Sequence, residues 1–133
     1  MRTVGRAHTA LVRHTKVGRR FRGGEVLLLT HTGRRSGARH TAPLIFLRDG
    51  GSYLVAASNG GVDHEPQWWL NLQASPFAEI EVDGVRKAVR AEALPDAERD
   101  AAWERFRQVG AYYDGYQAGV RRRIAVVRLR PIR

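Results

Sequence analysis

Val26-Leu27-Leu28-Leu29-Thr30-His31-Thr32-Gly33-Arg34-Arg35-Ser36-Gly37-Ala38-Arg39-His40 is the stretch on which the fold turns. Four apolar residues lead into a polar segment with three arginines, a serine and two glycines, and a second apolar run, Leu44-Ile45-Phe46-Leu47, follows it. Short apolar runs bounded by glycine-rich polar segments read as strands. The segment between them is a tight connecting loop. Such a loop offers backbone N–H groups and guanidinium forks to one small anion: glycine lets the backbone come close, and arginine matches phosphate geometry with two parallel bonds. Arg34, Arg35 and Arg39 are therefore candidate anion ligands, assisted by Ser36 and Gly37. From the loop alone, a solvated hairpin tip reads equally well. It is not a phosphate loop of the Walker type, because it lacks the Gly-Lys-Ser/Thr ending and the helix that would follow.

Working outward, Glu25–Thr32 and His40–Arg48 are the flanking strands, and Pro43 marks the second as an edge strand or as bulged near its start. Asp49-Gly50-Gly51 turns the chain into a third strand, Ser52–Ser58, which Asn59-Gly60-Gly61 breaks. Pro66 suits the first turn of a short helix, Pro66–Ala74, carrying Trp68, Trp69, Leu70 and Leu72. Phe77–Asp83 alternates, with Ile80 and Val82 inward and Glu79 and Glu81 outward, and Asp83-Gly84 turns it into Val85–Ala93. Pro95-Asp96 opens a helix on which Trp103, Phe106 and Val109 share a face, while Gly110 and Gly115 weaken its continuation. Arg122–Arg130 closes the chain as a last strand. About six short strands, mostly joined by hairpins, predict a mostly β (α+β) small barrel with helices at one side. The lack of long crossovers and of a Gly-x-Gly-x-x-Gly helix start argues against a Rossmann domain.

The chain of 133 residues, 43% hydrophobic, is long enough for one globular domain. It has no cysteine, which excludes disulfides, thiol catalysis and cysteine-ligated metals. No apolar run has membrane-spanning length and no signal-peptide core is evident, so a cytoplasmic protein is the expectation. The net charge of +10 is uneven. Residues 1–40 hold ten basic groups against Glu25 alone, residues 41–120 seven against twelve acids, and residues 121–133 six arginines and no acid. If the two ends meet, they form one electropositive face for an anionic partner. Residues 1–24 read as a basic segment, helical or flexible, and residues 25–133 as the barrel domain. The charge also motivates a nucleic-acid-binding barrel, but the aromatics that would stack bases cluster in the acidic middle, so no nucleic acid is expected. Weak association of the N-terminal segment with an anionic membrane surface is a lesser reading. The five histidines lack metal-ligand spacing, and Glu79, Glu81 and Glu92 are strand-surface acids, so no metal site is read.

Four segments, in order, carry a family resemblance: Leu29-Thr30-His31-Thr32-Gly33-Arg34-Arg35-Ser36-Gly37; Pro43-Leu44-Ile45-Phe46-Leu47-Arg48-Asp49-Gly50; Ala57-Ser58-Asn59-Gly60-Gly61 running on to Pro66-Gln67-Trp68-Trp69-Leu70-Asn71-Leu72; and Tyr113-Asp114-Gly115-Tyr116-Gln117. With them the chain resembles the deazaflavin-dependent nitroreductase family, small split β-barrel proteins that use coenzyme F-420 (8-hydroxy-5-deazaflavin). The resemblance implies a six-stranded split β-barrel, flavin-reductase/FMN-binding-like, with two to three short flanking helices. It implies an anionic deazaflavin held by Arg34, Arg35, Ser36, Gly37 and Arg39, its ring over the wall near Ala57, Ser58, Asn59, Gly60 and Gly61, with Pro43 a further cofactor-binding residue and Pro66 and Trp68 bordering the cleft. It further implies hydride transfer to a small electron-poor acceptor (a quinone, enone or nitro compound), with Ser58, Tyr113 and Tyr116 as the catalytic set and a homodimer as the assembly. An FMN- or haem-binding split barrel is the competing reading of the same shape. The chain departs from the family at Asn59, where a lysine is common, and at Gly110, where nitro-reducing members carry a tyrosine; Tyr112 lies nearby but off that register.

Overall fold

The apolar run Val26–Leu29 is unbroken because both faces of its strand are covered. Leu27 and Leu29 point into a barrel interior with Phe46, Val55, Ile80 and Leu129, while Val26 and Leu28 pack outside against Ile45. The computed structural model describes residues 20–132. Its strands are β1 (Arg20–Phe21), β2 (Gly24–Thr32), β3 (Arg39–Asp49), β4 (Ser52–Ala56), β5 (Phe77–Val82), β6 (Val85–Ala93) and β7 (Val126–Pro131). The helices are α1 (Gln67–Ala74), α2 (Asp96–Val109) and α3 (Tyr112–Ala118), and a 3-10 turn spans Asn59–Gly61.

All strand pairs are antiparallel, in the order β1-β2-β3-β4-β7-β6-β5, and a further β2–β5 pairing closes β2 to β7 into a six-stranded barrel. The two-residue turns fall where glycine permits left-handed backbone: Val82 pairs with Val85 across Asp83-Gly84, whose φ values are 51° and 80°. Trp68, Trp69 and Leu72 of α1 join the barrel interior. On the outer face of β4 and β7, Trp103 and Phe106 of α2 and Tyr113 of α3 cover Leu54 and Val126. Arg99 locks these helices to the strand that follows, donating from Nε to the Ile124 carbonyl at 2.8 Å and from Nη2 to Gln117 Oε1 at 2.8 Å.

Several expectations need correction. The third strand stops at Ala56 rather than Ser58, and the last begins at Val126 rather than Arg122. Gly110 ends α2, but Gly115 sits within α3, because a helix packed on an apolar face tolerates one glycine. The C-terminal arginines do not make an open positive face: Arg122 pairs with Glu65, Arg123 with Asp100, Arg128 with Glu92 and Asp49, and Arg130 with Glu92. The acids of the middle stretch thus neutralise these four arginines. Most of the basic N-terminal segment, residues 1–19, and with it the membrane-surface reading, lies outside the described residues; Arg20 and Phe21 pair with β2.

Pro43 sits where the sheet opens. β3 carries β2 along its length but meets β4 only from Phe46 onward. The first half of β3, with Pro43 opposite Leu28, therefore has a neighbour on one side only, where a missing N–H costs no ladder bond. That parting of β3 from β4 is the split in the barrel, and it positions the site.

Candidate active site

Two cavities meet in the split. The larger, about 780 Å³, is bounded at its far end by Arg34, Arg35, Ser36, His40 and Asn71. The smaller, about 300 Å³, is bounded by Arg22 and by Tyr112, Tyr113 and Tyr116 of α3. Leu44, Ala56, Ser58 and Gly60 line both, so the two form one cleft with Arg34 and Arg35 at one end and the phenols, beside Arg22, at the other.

The loop between β2 and β3 is wound on itself. Gly33 donates to the Ala38 carbonyl at 2.7 Å, Gly37 donates to the Gly33 carbonyl at 2.9 Å, and Ala38 donates to Ser36 Oγ at 3.1 Å. Gly33 has no room for a side chain: a Cβ there would stand 2.9 Å from Ser36 Oγ and 3.1 Å from His40 Nε2. Arg34 is fixed against α1, donating from its backbone N and from Nη1 to Asn71 Oδ1 at 3.0 and 2.8 Å, and from Nη1 to Gln67 Oε1 at 2.9 Å. Among the described residues, no group bonds the Arg35 or Arg39 guanidinium, the N–H of Arg35 or Ser36, or the Ser58 hydroxyl. Of these, Arg35, Ser36 and Ser58 are on the cleft wall. Unpaired donors around a cation-rich pocket are the chemistry a phosphate-bearing ligand requires.

Behind Arg34 lies a buried polar relay. Because Asn71 Oδ1 takes both bonds from Arg34, its Nδ2 faces His31 and donates to Nδ1 at 3.0 Å. His31 must then be neutral, with its proton on Nε2. Burial, aided by the His40 ring whose centroid lies 5.6 Å away, pushes its pKa down to about 4.

At the opposite end, burial pushes the Tyr113 phenol up, with the neighbouring Tyr112 and Tyr116 adding to it. Tyr113 packs edge-on to Trp103 and Tyr116, at centroid distances of 5.7 and 5.6 Å. Helical spacing does bring Tyr113 and Tyr116 to one cavity, as the sequence predicts. Tyr112 joins them, its ring 4.8 Å from that of Tyr113. Below the cleft, Arg122 ties the loop after β4 together, donating to the carbonyls of Ala57, Ser58 and Val62 at 2.9, 3.2 and 3.1 Å.

Of the residues named from the sequence, Arg34, Arg35, Ser36, Ser58, Asn59, Gly60, Pro66 and Trp68 line the larger cavity, and Pro43, Ser58, Gly60, Tyr113 and Tyr116 the smaller. Gly37, Arg39 and Gly61 line neither. Gly61 permits close approach to a protein ring rather than to a ligand: a Cβ there would meet Tyr116 Cδ1 at 3.0 Å. The Asn59 amide is occupied, donating to the His64 carbonyl at 3.0 Å. Sequence reasoning missed Arg22, His31, Gln67, Asn71 and Tyr112. Gln67 and Asn71 had a legible signal, an i, i+4 pair on the face of α1 that also carries the motif.

A family model for F-420H(2)-dependent quinone reductases matches residues 3–131. The chain belongs to that family. An F-420H(2)-dependent quinone reductase of Mycobacterium tuberculosis is 37% identical over 128 residues, covering 92% of this chain and 86% of that protein. The solved structure of an F-420-H2 dependent reductase matches with a TM-score of 0.71 and 28% identity, covering 78% of this chain and 92% of that one. A structure described as a domain-swapped dimer matches with a TM-score of 0.73 and 27% identity over 93% of each chain. Membership makes the chain an oxidoreductase dependent on coenzyme F-420 and confirms the split-barrel expectation. The family takes its name from quinones, one of the three acceptor classes that the resemblance implies. Among the described residues, no helix is long and apolar enough to cross a membrane.

Proposed function

We propose that this chain reduces a quinone-type acceptor in the tyrosine end of the cleft, with the charged arm of the coenzyme held at the arginine end. The observation that carries this reading is the shared wall of Leu44, Ala56, Ser58 and Gly60, which joins free cations to phenols in one continuous space. Arg34, Arg35 and Ser36 would hold the anionic arm, and Ser58 and Gly60 would flank the flat ring. When bound in its reduced form, the deazaflavin supplies a hydride.

The residues of this chain do the rest. Asn71 and Gln67 fix the Arg34 fork before any ligand arrives, so its ordering cost is already met by the fold. Their acceptors are neutral amides, so the guanidinium charge is not cancelled. Tyr113 and Tyr116 orient the acceptor and present hydroxyls to the oxygen on which negative charge develops. The apolar residues around them keep bulk water from that oxygen.

The likeness to a domain-swapped dimer supports a homodimer of this chain, and light scattering on the purified protein reads its mass. The functional reading is tested by titrating coenzyme F-420 into the native chain and into the Arg34→Ala/Arg35→Ala double variant, following the fluorescence of the deazaflavin. Loss of two charge-assisted contacts is expected to weaken binding about 100-fold. Unchanged affinity in the double variant, or a native chain that binds the coenzyme yet reduces no quinone, overturns the assignment.

A further inference from the structure

We infer that Arg22 acts through Tyr116 to make the small cavity a socket for an oxygen that accepts, but does not donate, a hydrogen bond; this positioning role rests on the function proposed above. Arg22 and Gly23 form the two-residue turn between β1 and β2, across which Phe21 pairs with Gly24. Their φ values are 50° and 89°, both left-handed. Asn-Gly is the sequence such a turn favours, and a long unbranched cation at its first position is strained. Strain of this kind persists where other contacts over-determine the residue, and it concentrates at working sites.

Those contacts come from α3. Arg22 Nη1 donates to Tyr116 Oη at 2.8 Å, the Tyr112 hydroxyl donates to the Arg22 carbonyl at 3.0 Å, and the guanidinium carbon lies 3.9 Å from the centre of the Tyr112 ring. Among the described residues, no carboxylate pairs with Arg22. Gly110 makes room for this arrangement. A Cβ there would stand 2.1 Å from the Tyr112 ring, although the φ of −170° at Gly110 is open to any residue. The glycine is thus demanded by the ring that steadies Arg22 and not by its own backbone.

The direction of the Arg22–Tyr116 bond decides the chemistry. A guanidinium only donates, so the Tyr116 oxygen accepts and its single O–H remains free to donate into the cavity. A phenol whose oxygen receives a bond from a cation is a stronger donor. The surrounding wall, including Phe21, Val26, Pro43 and Ile45, is apolar. The complementary ligand is flat, apolar and edged by a carbonyl oxygen. Two electrons and one hydrogen reach such an acceptor as hydride, negative charge appears on the oxygen facing Tyr116, and a proton taken from solvent as the product leaves the cavity completes the hydroquinone.

The test uses the full chain with Arg22→Asn, Arg22→Lys, Tyr116→Phe and the Arg22→Asn/Tyr116→Phe double variant. Arg22→Asn creates the favoured turn sequence, so its melting temperature and coenzyme affinity are expected to hold. Its kcat for a naphthoquinone is expected to fall about 10- to 100-fold, more steeply for acceptors of lower reduction potential, with part of the loss restored in Arg22→Lys. Without coenzyme, a nitrophenolate that mimics the charged oxygen is expected to bind about tenfold more weakly to Arg22→Asn, read by tryptophan fluorescence. In the Tyr116→Phe background, Arg22→Asn is expected to add nothing. Undiminished turnover and nitrophenolate binding in Arg22→Asn, or multiplying losses in the double variant, overturn this inference alone. A native chain without quinone turnover overturns the proposed function as well.

Discussion

The arginines near the start of the described chain and those near its end have the same side chain and opposite settings. Arg122, Arg123, Arg128 and Arg130 each face a carboxylate. Arg22, Arg34 and Arg35 line the cleft and face a phenol, two amides and open space. A guanidinium held by an acid is neutralised and serves the fold. One held by a neutral acceptor is positioned with its charge intact and serves a ligand. Net charge does not separate the two settings, but the identity of each partner does.

The sharpest way to break this comparison is Arg122→Ala. It strands three carbonyls and the Glu65 carboxylate in a largely buried setting. The expected cost is about 3 kcal/mol, since a buried pair that loses one member leaves an uncompensated charge. Urea denaturation at pH 7 reads it. Coenzyme binding should weaken too, because the loop carrying Ser58 and Gly60 is released. A fully stable Arg122→Ala would remove the structural role given to the C-terminal arginines.

The second prediction concerns the neutral backing of the other set. An unfolded histidine titrates near 6.5, whereas His31 in the fold titrates near 4. Above pH 6.5 it is neutral in both states and stability is independent of it. As pH falls below 6.5 the unfolded chain takes up a proton that the folded chain refuses, so stability drops. The loss is complete once pH passes below about 4, and approaches about 3 kcal/mol. Protonation would also deprive Asn71 of its acceptor and loosen Arg34. His31→Gln should flatten the slope of unfolding free energy between pH 6.5 and 4. An equal slope in the variant would mean that His31 is not the buried neutral base.

Third, Arg35→Ala should leave the melting temperature unchanged, as nothing in the described fold bonds that guanidinium, while coenzyme affinity falls about tenfold for one lost charge-assisted contact. The salt dependence of binding should shrink along with it. A large stability change with intact binding would exchange the roles of the two arginine sets.

Much of this was legible in the sequence, and the parts that were not share a cause. The barrel was readable because its turns are local: Asp83-Gly84 and Gly50-Gly51 announce hairpins, and alternation in Phe77–Val82 gives the inward face. The loop arginines and the tyrosine pair were readable as motifs. What stayed hidden was pairing over long sequence separations. Nothing local says that Arg122 reaches Glu65, that Tyr112 shelters beside Gly110 while holding Arg22, or that Asn71 is shared between Arg34 and His31. The charge pattern hid its pairing for the same reason: Arg122, Arg123, Arg128 and Arg130 look in the sequence like part of a surface for a partner, whereas the topology sets acids opposite them.

The smallest predicted effect is the control that gives the others meaning. Arg130 bonds Glu92 at 2.7 Å, a shorter contact than any made by Arg34, yet both side chains are more than a third exposed. Water and salt screen such a pair, and ordering two long side chains offsets much of the attraction. Arg130→Ala is therefore expected to cost less than about 0.5 kcal/mol and to leave coenzyme affinity untouched. If it instead weakened coenzyme binding as much as Arg35→Ala, the ligand would be responding to the total positive charge of the protein. Specific placement of free cations in the cleft would then no longer be needed to explain recognition.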